Sequence, residues 1–136
     1  MTVNKAQKFM GINCKDCSLC ENVGLDDKLR LKTLKAYMDN VPDYKSWWDS
    51  EKIACSASRG PKHWESQQCA FFQWTSGRTL ETHLVKAKMQ ELININCFIC
   101  GSAPTEDADT THGALTINYV TEAHKCRDGK SGVCIS

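Results

Sequence analysis

An α+β fold built from two small zinc-ribbon-like lobes and two amphipathic helices is what the sequence predicts, and three observations predict it. The chain has 136 residues, room for one domain or two very small ones. It carries nine cysteines, several at spacings that suit a tetrahedral metal. Two stretches, 25–38 and 79–93, repeat apolar residues at helical intervals. Hydrophobic residues make up 41% of the chain, too many for a disordered one, so a packed core is expected.

Cys14, Cys17 and Cys20 form a first cysteine cluster, and Cys97 and Cys100, followed by Gly101, form a second. Two thiolates two residues apart can both reach one Zn²⁺ at about 2.3 Å from a tight turn. Cys55 and Cys69 follow the first cluster and Cys126 and Cys134 follow the second, so the nine divide as four, four and one. The expected ligand sets are Cys17, Cys20, Cys55 and Cys69 for one Zn²⁺, and Cys97, Cys100, Cys126 and Cys134 for another. Cys14 is then the spare, and Cys14, His63, His112 and His124 are the alternative ligands. The competing readings are an iron–sulfur cluster on Cys14, Cys17, Cys20 and a distant cysteine, and isolated cysteines buried as small hydrophobes. Zinc is preferred because two short-spaced clusters in so short a chain have few other uses. The lobes are expected at 1–78 and 79–136.

Between the clusters, Leu25, Leu29, Leu34 and Met38 share a helical face, with acids in the first turn and lysines later, and Asn40, Val41 and Pro42 end the helix. Residues 44–54 read as an extended segment leading to Cys55, and Arg59 to Lys62 as a loop. Cys69 to Trp74 is dense in aromatic residues and favours a strand ended by Ser76 and Gly77. Trp47, Trp48, Phe71, Phe72 and Trp74 are expected to fill the core, since a short chain needs large side chains to build one. Leu80, Leu84 and Ala87 mark the second helix, with Val85, Met89, Leu92 and Ile93 beside them and Thr79 as N-cap. Residues 101–113 read as a polar, acidic loop and Leu115 to Val120 as a strand. Asp128-Gly129 and Ser131-Gly132, between Cys126 and Cys134, suit a tight turn closing a ribbon.

The stretch from Cys55 through Arg59, Gly60 and Pro61 to Cys69, Phe71, Phe72 and Trp74 resembles the last half of a GRF-type zinc finger, whose motif ends in Cys-x-Phe-Phe-x-Trp. The resemblance implies that Cys55 and Cys69 are the third and fourth ligands of one zinc. It also implies a small β-rich module that engages single-stranded nucleic acid.

Lys+Arg is 17 against Asp+Glu 16, a formal net charge of +1, so no global field draws the chain to polyanions and any such binding needs a local patch. Arg59, Lys62 and Trp64, with Arg78 shortly after, offer cations for a phosphate backbone and a ring for stacking, worth about 1–3 kcal/mol per base. The expectation is a non-catalytic zinc protein that binds single-stranded nucleic acid through this loop. One alternative is a zinc-stabilised protein–protein interaction or regulatory module, favoured by the near-neutral charge and the acidic 106–109 segment. The other is a zinc-dependent nucleobase deaminase using His63, Cys97 and Cys100 with Glu65 as proton shuttle, though Asn96 stands where that signature has proline. No catalytic residue is assigned. The polar start, with only Phe9, Met10 and Ile12 apolar after it, predicts neither a signal peptide nor a membrane partner. The expected setting is therefore cytoplasmic or nuclear, where clustered cysteines bind metal more often than they pair.

Overall fold

Helix α1 (Arg30–Tyr37) buries Leu31 and Leu34 completely, and the 3-10 turn Met38–Asn40 adds Met38 to the same face. These residues recur at intervals of three and four, so they line one side of the helical cylinder. The chain is described by a computed structural model at Ile12, Cys14 and residues 30–56, 67–97, 100–106, 112–120, 126 and 130–134. Leu25 and Leu29, the N-terminal part of the expected first helix, lie outside the described residues.

Among the described residues seven short strands follow α1: β1 (Ser46–Trp47), β2 (Ala54–Cys55), β3 (Gln67–Gln73), β4 (Leu80–Glu81), β5 (Gly101–Pro104), β6 (Ala114–Val120) and β7 (Gly132–Val133). Helix α2 (Thr82–Asn94) lies between β4 and β5. A five-stranded antiparallel sheet runs in the order β5-β6-β3-β2-β7, and β1 and β4 form a separate antiparallel pair. At the centre β3 pairs with β6 over its whole length, from Gln67 opposite Val120 to Gln73 opposite Ala114. The large sheet thus takes strands from both sides of residue 78.

Strand alternation divides the chain into two layers. Ala70 and Phe72 of β3, Leu115 and Ile117 of β6 and Ala103 of β5 pack with the buried faces of α1 and α2 in the main core. Cys69 and Phe71, one residue out of phase, belong to a second cluster with Cys55, Val120 and Cys126. On α2 the core-facing side chains are Val85, Met89 and Leu92, each fully buried and each contributing about 1.5–3 kcal/mol of transfer free energy.

The helix-to-sheet junction is clipped by one buried tryptophan. Trp47 is fully buried, and its Nε1–H donates to Thr82 Oγ1 at 2.8 Å; the Thr82 hydroxyl in turn donates to the Lys45 carbonyl at 3.0 Å. A buried indole N–H needs such a partner, and Thr82, at the first position of α2, supplies it. At its other end α2 closes in a Schellman motif: Cys97 N–H donates to the Leu92 carbonyl and Asn96 N–H to that of Ile93, with Asn96 at φ +67°.

The α+β class and two helices are thus present, but disulfides stabilise the fold in place of the zinc-ribbon-like lobes that the cysteine spacing predicts. Three local readings change. Thr79 is not the N-cap of α2: Leu80 and Glu81 pair with β1, so the helix starts at Thr82 behind an extended Glu81. Residues 101–104, read as loop, form strand β5, because Gly101, Ser102, Ala103 and Pro104 are all buried against β6. Gly132, read as part of a ribbon-closing turn, lies in β7 and pairs with Cys55 of β2, while Asp128 and Gly129 of that expected turn lie outside the described residues.

Candidate functional site

The register of β2 against β3 sets Cys55 directly opposite Cys69, and the two are joined as a disulfide with Cα atoms 4.1 Å apart. Pairing of β7 on the other side of β2 brings up a second bridge, Cys126–Cys134, with Cα atoms 5.3 Å apart. Cys55 Sγ lies 3.6 Å from Cys134 Sγ, and the sulfurs of Cys55, Cys126 and Cys134 all fall within 4.8 Å of one another. Gln67, almost fully buried, anchors the neighbourhood: its side-chain amide donates to the carbonyls of Ser56 at 2.7 Å and Lys130 at 3.2 Å, and its Oε1 accepts from Cys126 N–H at 2.8 Å. A third bridge, Cys14–Cys97, ties the segment before α1 to the end of α2, and Cys100 is disulfide-bonded as well.

This pairing overturns the two Zn²⁺ sites. A cysteine that ligates zinc must be a thiolate, and a sulfur in a disulfide carries no such charge. Cys55 and Cys69 bond to each other, as do Cys126 and Cys134, while Cys97 bonds to Cys14, the residue that the spacing leaves spare. Cys17, Cys20, His63 and His124 lie outside the described residues. His112 is exposed and its carbonyl accepts from Arg78. The deaminase alternative fails for the same reason, since Cys97 and Cys100 are both in disulfides and His63 and Glu65 lie outside the described residues.

Of the expected nucleic-acid contacts, Arg59, Lys62 and Trp64 lie outside the described residues. Arg78 is tied down: its Nε donates to the Thr75 carbonyl at 2.8 Å, Nη2 to the His112 carbonyl at 2.7 Å, and Nη1 lies 3.3 Å from Glu106 Oε1. Other cations are similarly engaged. Lys86 hydrogen-bonds Asp43 Oδ1 at 2.8 Å and holds that carboxyl below its usual range. Lys52 donates to the Ser50 carbonyl at 2.7 Å and sits over the Phe71 ring, where burial pushes its pKa down. Between α1 and α2 an open groove of about 370 Å³ is lined by Lys32, Lys35, Ala36, Asp39, Gln90 and Ile93.

The aromatic residues divide in a way the sequence reading missed. Trp47, Phe71 and Phe72 are buried as expected, whereas Trp48 is 64% and Trp74 48% exposed. One clamp links the two segments that carry the exposed rings. The Asp49 carboxylate accepts from both the N–H and the hydroxyl of Thr75, each at 3.1 Å, and Ser50 N–H donates to the Phe72 carbonyl at 2.7 Å. The residue after each exposed tryptophan thus grips the residue after the other. A signal for this was present: adjacent residues of an extended chain point to opposite sides, so Trp47 and Trp48 cannot both enter one core.

Compared with known protein families, the sequence matches Kp4, the killer toxin Kp4 family, over residues 1–121. β7 and the Cys126–Cys134 bridge lie beyond the matched residues. No curated protein matches the chain significantly. The match is to a different family from the GRF-type zinc finger, so that resemblance, carried by Cys55, Cys69, Phe71, Phe72 and Trp74, is corrected. The single-stranded nucleic-acid reading and its zinc-stabilised interaction alternative fall with it, because the matched family consists of secreted antifungal toxins and the cysteines pair. The cytoplasmic or nuclear setting is corrected on the same grounds: disulfides persist in oxidising, extracellular surroundings.

Proposed function

The chain belongs to the killer toxin Kp4 family, and on that premise we propose that it is a secreted, disulfide-stabilised toxin that acts on fungal cells. The observation that carries the reading, beside the family match, is the cysteine framework: all seven described cysteines are disulfide-bonded, and Cys14–Cys97 spans 83 residues. A chain of this length has a small core, and crosslinks of this kind let such a chain survive dilution, proteases and variable pH outside a cell.

The reading is tested by adding the purified, oxidised chain to growing fungal cultures and following growth against dose. Growth arrest is expected, and it should disappear when the protein is reduced and its thiols alkylated before addition. Unchanged growth across a panel of fungi at high dose would sink the reading.

A further inference from the structure

Trp48 and Trp74 leave much of their area in water although the chain is short and needs large side chains inside, so their exposure calls for a reason. Trp74 also sits at φ +57°, a left-handed conformation that costs a bulky residue roughly 1–2 kcal/mol relative to the ordinary regions. The turn that holds it is fixed from three directions. Asp49 receives both donors of Thr75, whose side chain is fully buried, and Arg78 donates to the Thr75 carbonyl from its backbone N–H and from Nε. A backbone turn held so firmly has little freedom left to lose when the ring it carries binds, which is the benefit of preorganisation.

The surroundings narrow what the rings can bind. Close to the two tryptophans in the chain stand Asp49, Ser50, Gln73 and Ser76, neutral or acidic hydrogen-bonding residues; Asp49 Oδ2 accepts from the Ser50 hydroxyl and Gln73 Oε1 from the Thr116 hydroxyl, which leaves the Gln73 amide nitrogen as a donor. The nearby cations Lys52 and Arg78 are spent on the Ser50 carbonyl and the Phe71 ring, and on Glu106 and two carbonyls. Among the described residues a phosphate backbone or an anionic bilayer surface would find no ready cation here and would meet Asp49. Aliphatic side chains, the usual companions of aromatics in protein and lipid contacts, are missing from this edge: among the described residues the exposed large apolar side chains are Tyr44, Trp48, Trp74 and Ile95. Ile95 lies beyond the far end of α2, roughly 20 Å along the helix from Thr82.

Flat rings set among neutral and acidic hydrogen-bonding groups complement a ligand with apolar faces and a hydroxylated rim. A β-linked pyranose chain has that shape, since its equatorial hydroxyls lie around the ring and its axial C–H groups cover both faces. From the clamped indoles and the neutral-to-acidic rim we propose that Trp48 and Trp74 form a binding site for a neutral β-linked polysaccharide. The hydroxyl rim would hydrogen-bond to Asp49 and Gln73, and the site serves attachment, separately from any step that harms a cell.

Co-sedimentation of the whole oxidised chain with insoluble β-glucan and with chitin tests the site and separates the two sources of such a chain. Binding to at least one is expected, with little change between low and high salt because the ligand is neutral. Trp48→Ala and Trp74→Gly should each weaken it on the order of tenfold, the loss of one stacked ring, and the double variant should abolish it. Trp74→Gly suits the backbone conformation there, so it tests the ring without disturbing the turn. Ile95→Ala should bind as the parent does, and intact disulfides by mass under non-reducing conditions confirm that each variant is folded. The proposal is overturned if neither polysaccharide sediments the chain, if the double variant still binds, or if anionic phosphatidylserine vesicles capture the chain while both polysaccharides leave it in solution. Binding is read without cells, so a chain that binds glucan yet spares fungi would overturn the toxin reading alone.

Discussion

Asp49 is exposed, yet its carboxylate satisfies the two donors of a threonine that has no contact with water. Removing it strands a buried N–H and a buried hydroxyl, which costs about 1–3 kcal/mol. Asp49→Ala should therefore lower the unfolding free energy by that amount, read as a lower urea midpoint at an unchanged denaturant slope, and Trp74 fluorescence should become easier to quench; an unchanged midpoint would show that the clamp holds nothing. Residue-level burial was only partly legible in the sequence. Trp47 and Phe72 were readable as core from their size, but Trp48 and Trp74 were misread because size alone says nothing of direction. Direction came from the strand alternation and from the left-handed turn at Trp74, and the latter is set by a contact 26 residues away in sequence.

At the scale of elements, both described helices were legible, but their faces were not. Leu80, Leu84 and Ala87 looked like the stripe of α2, whereas the buried set is Val85, Met89 and Leu92. Both sets obey helical spacing, and the choice between them is made by β1, which takes Leu80 into a strand pair and delays the helix to Thr82. Ala87, free of the core, is left exposed. The end of α2 is set more locally. Asn96 holds the left-handed position of the Schellman motif, a place that tolerates Asn and Gly but few other residues. Asn96→Ala is expected to destabilise by about 1 kcal/mol and Asn96→Gly by a few tenths at most, as read by thermal unfolding. The same motif delivers Cys97 into the core at the point where Cys14 meets it, so a poor cap should also slow closure of that bridge.

For the whole molecule, the disulfides decide how the fold resists unfolding. Loop-closure entropy ranks them by separation: about 4.5 kcal/mol for Cys14–Cys97 with 83 residues, about 3 for Cys55–Cys69 with 14, and about 2.5 for Cys126–Cys134 with 8. Paired Cys→Ser variants should lose stability in that order by urea unfolding; the reverse order would show that native contacts outweigh chain entropy. This framework was the least legible feature of the sequence. Cysteines two residues apart suggested shared ligands, but pairing is dictated by long-range register: Cys69 faces Cys55 because β3 folds back on β2, and Cys134 arrives because β7 adds to the same strand. An odd total of nine also disguised a chain whose described cysteines are all bonded.

β7 is only two residues long, but it occupies the outer flank of β2, with Cys134 N–H donating to the Ile53 carbonyl at 2.8 Å beside it. Without it, Ala54 and Cys55 would offer an unfilled row of backbone donors and acceptors, a template on which another copy of the chain can lay a strand. β7, which lies beyond the family-matched residues, therefore moves the exposed edge of the sheet from β2 to a two-residue strand. The Cys126–Cys134 bridge holds this strand beside β2, so that flank is filled by the chain's own backbone.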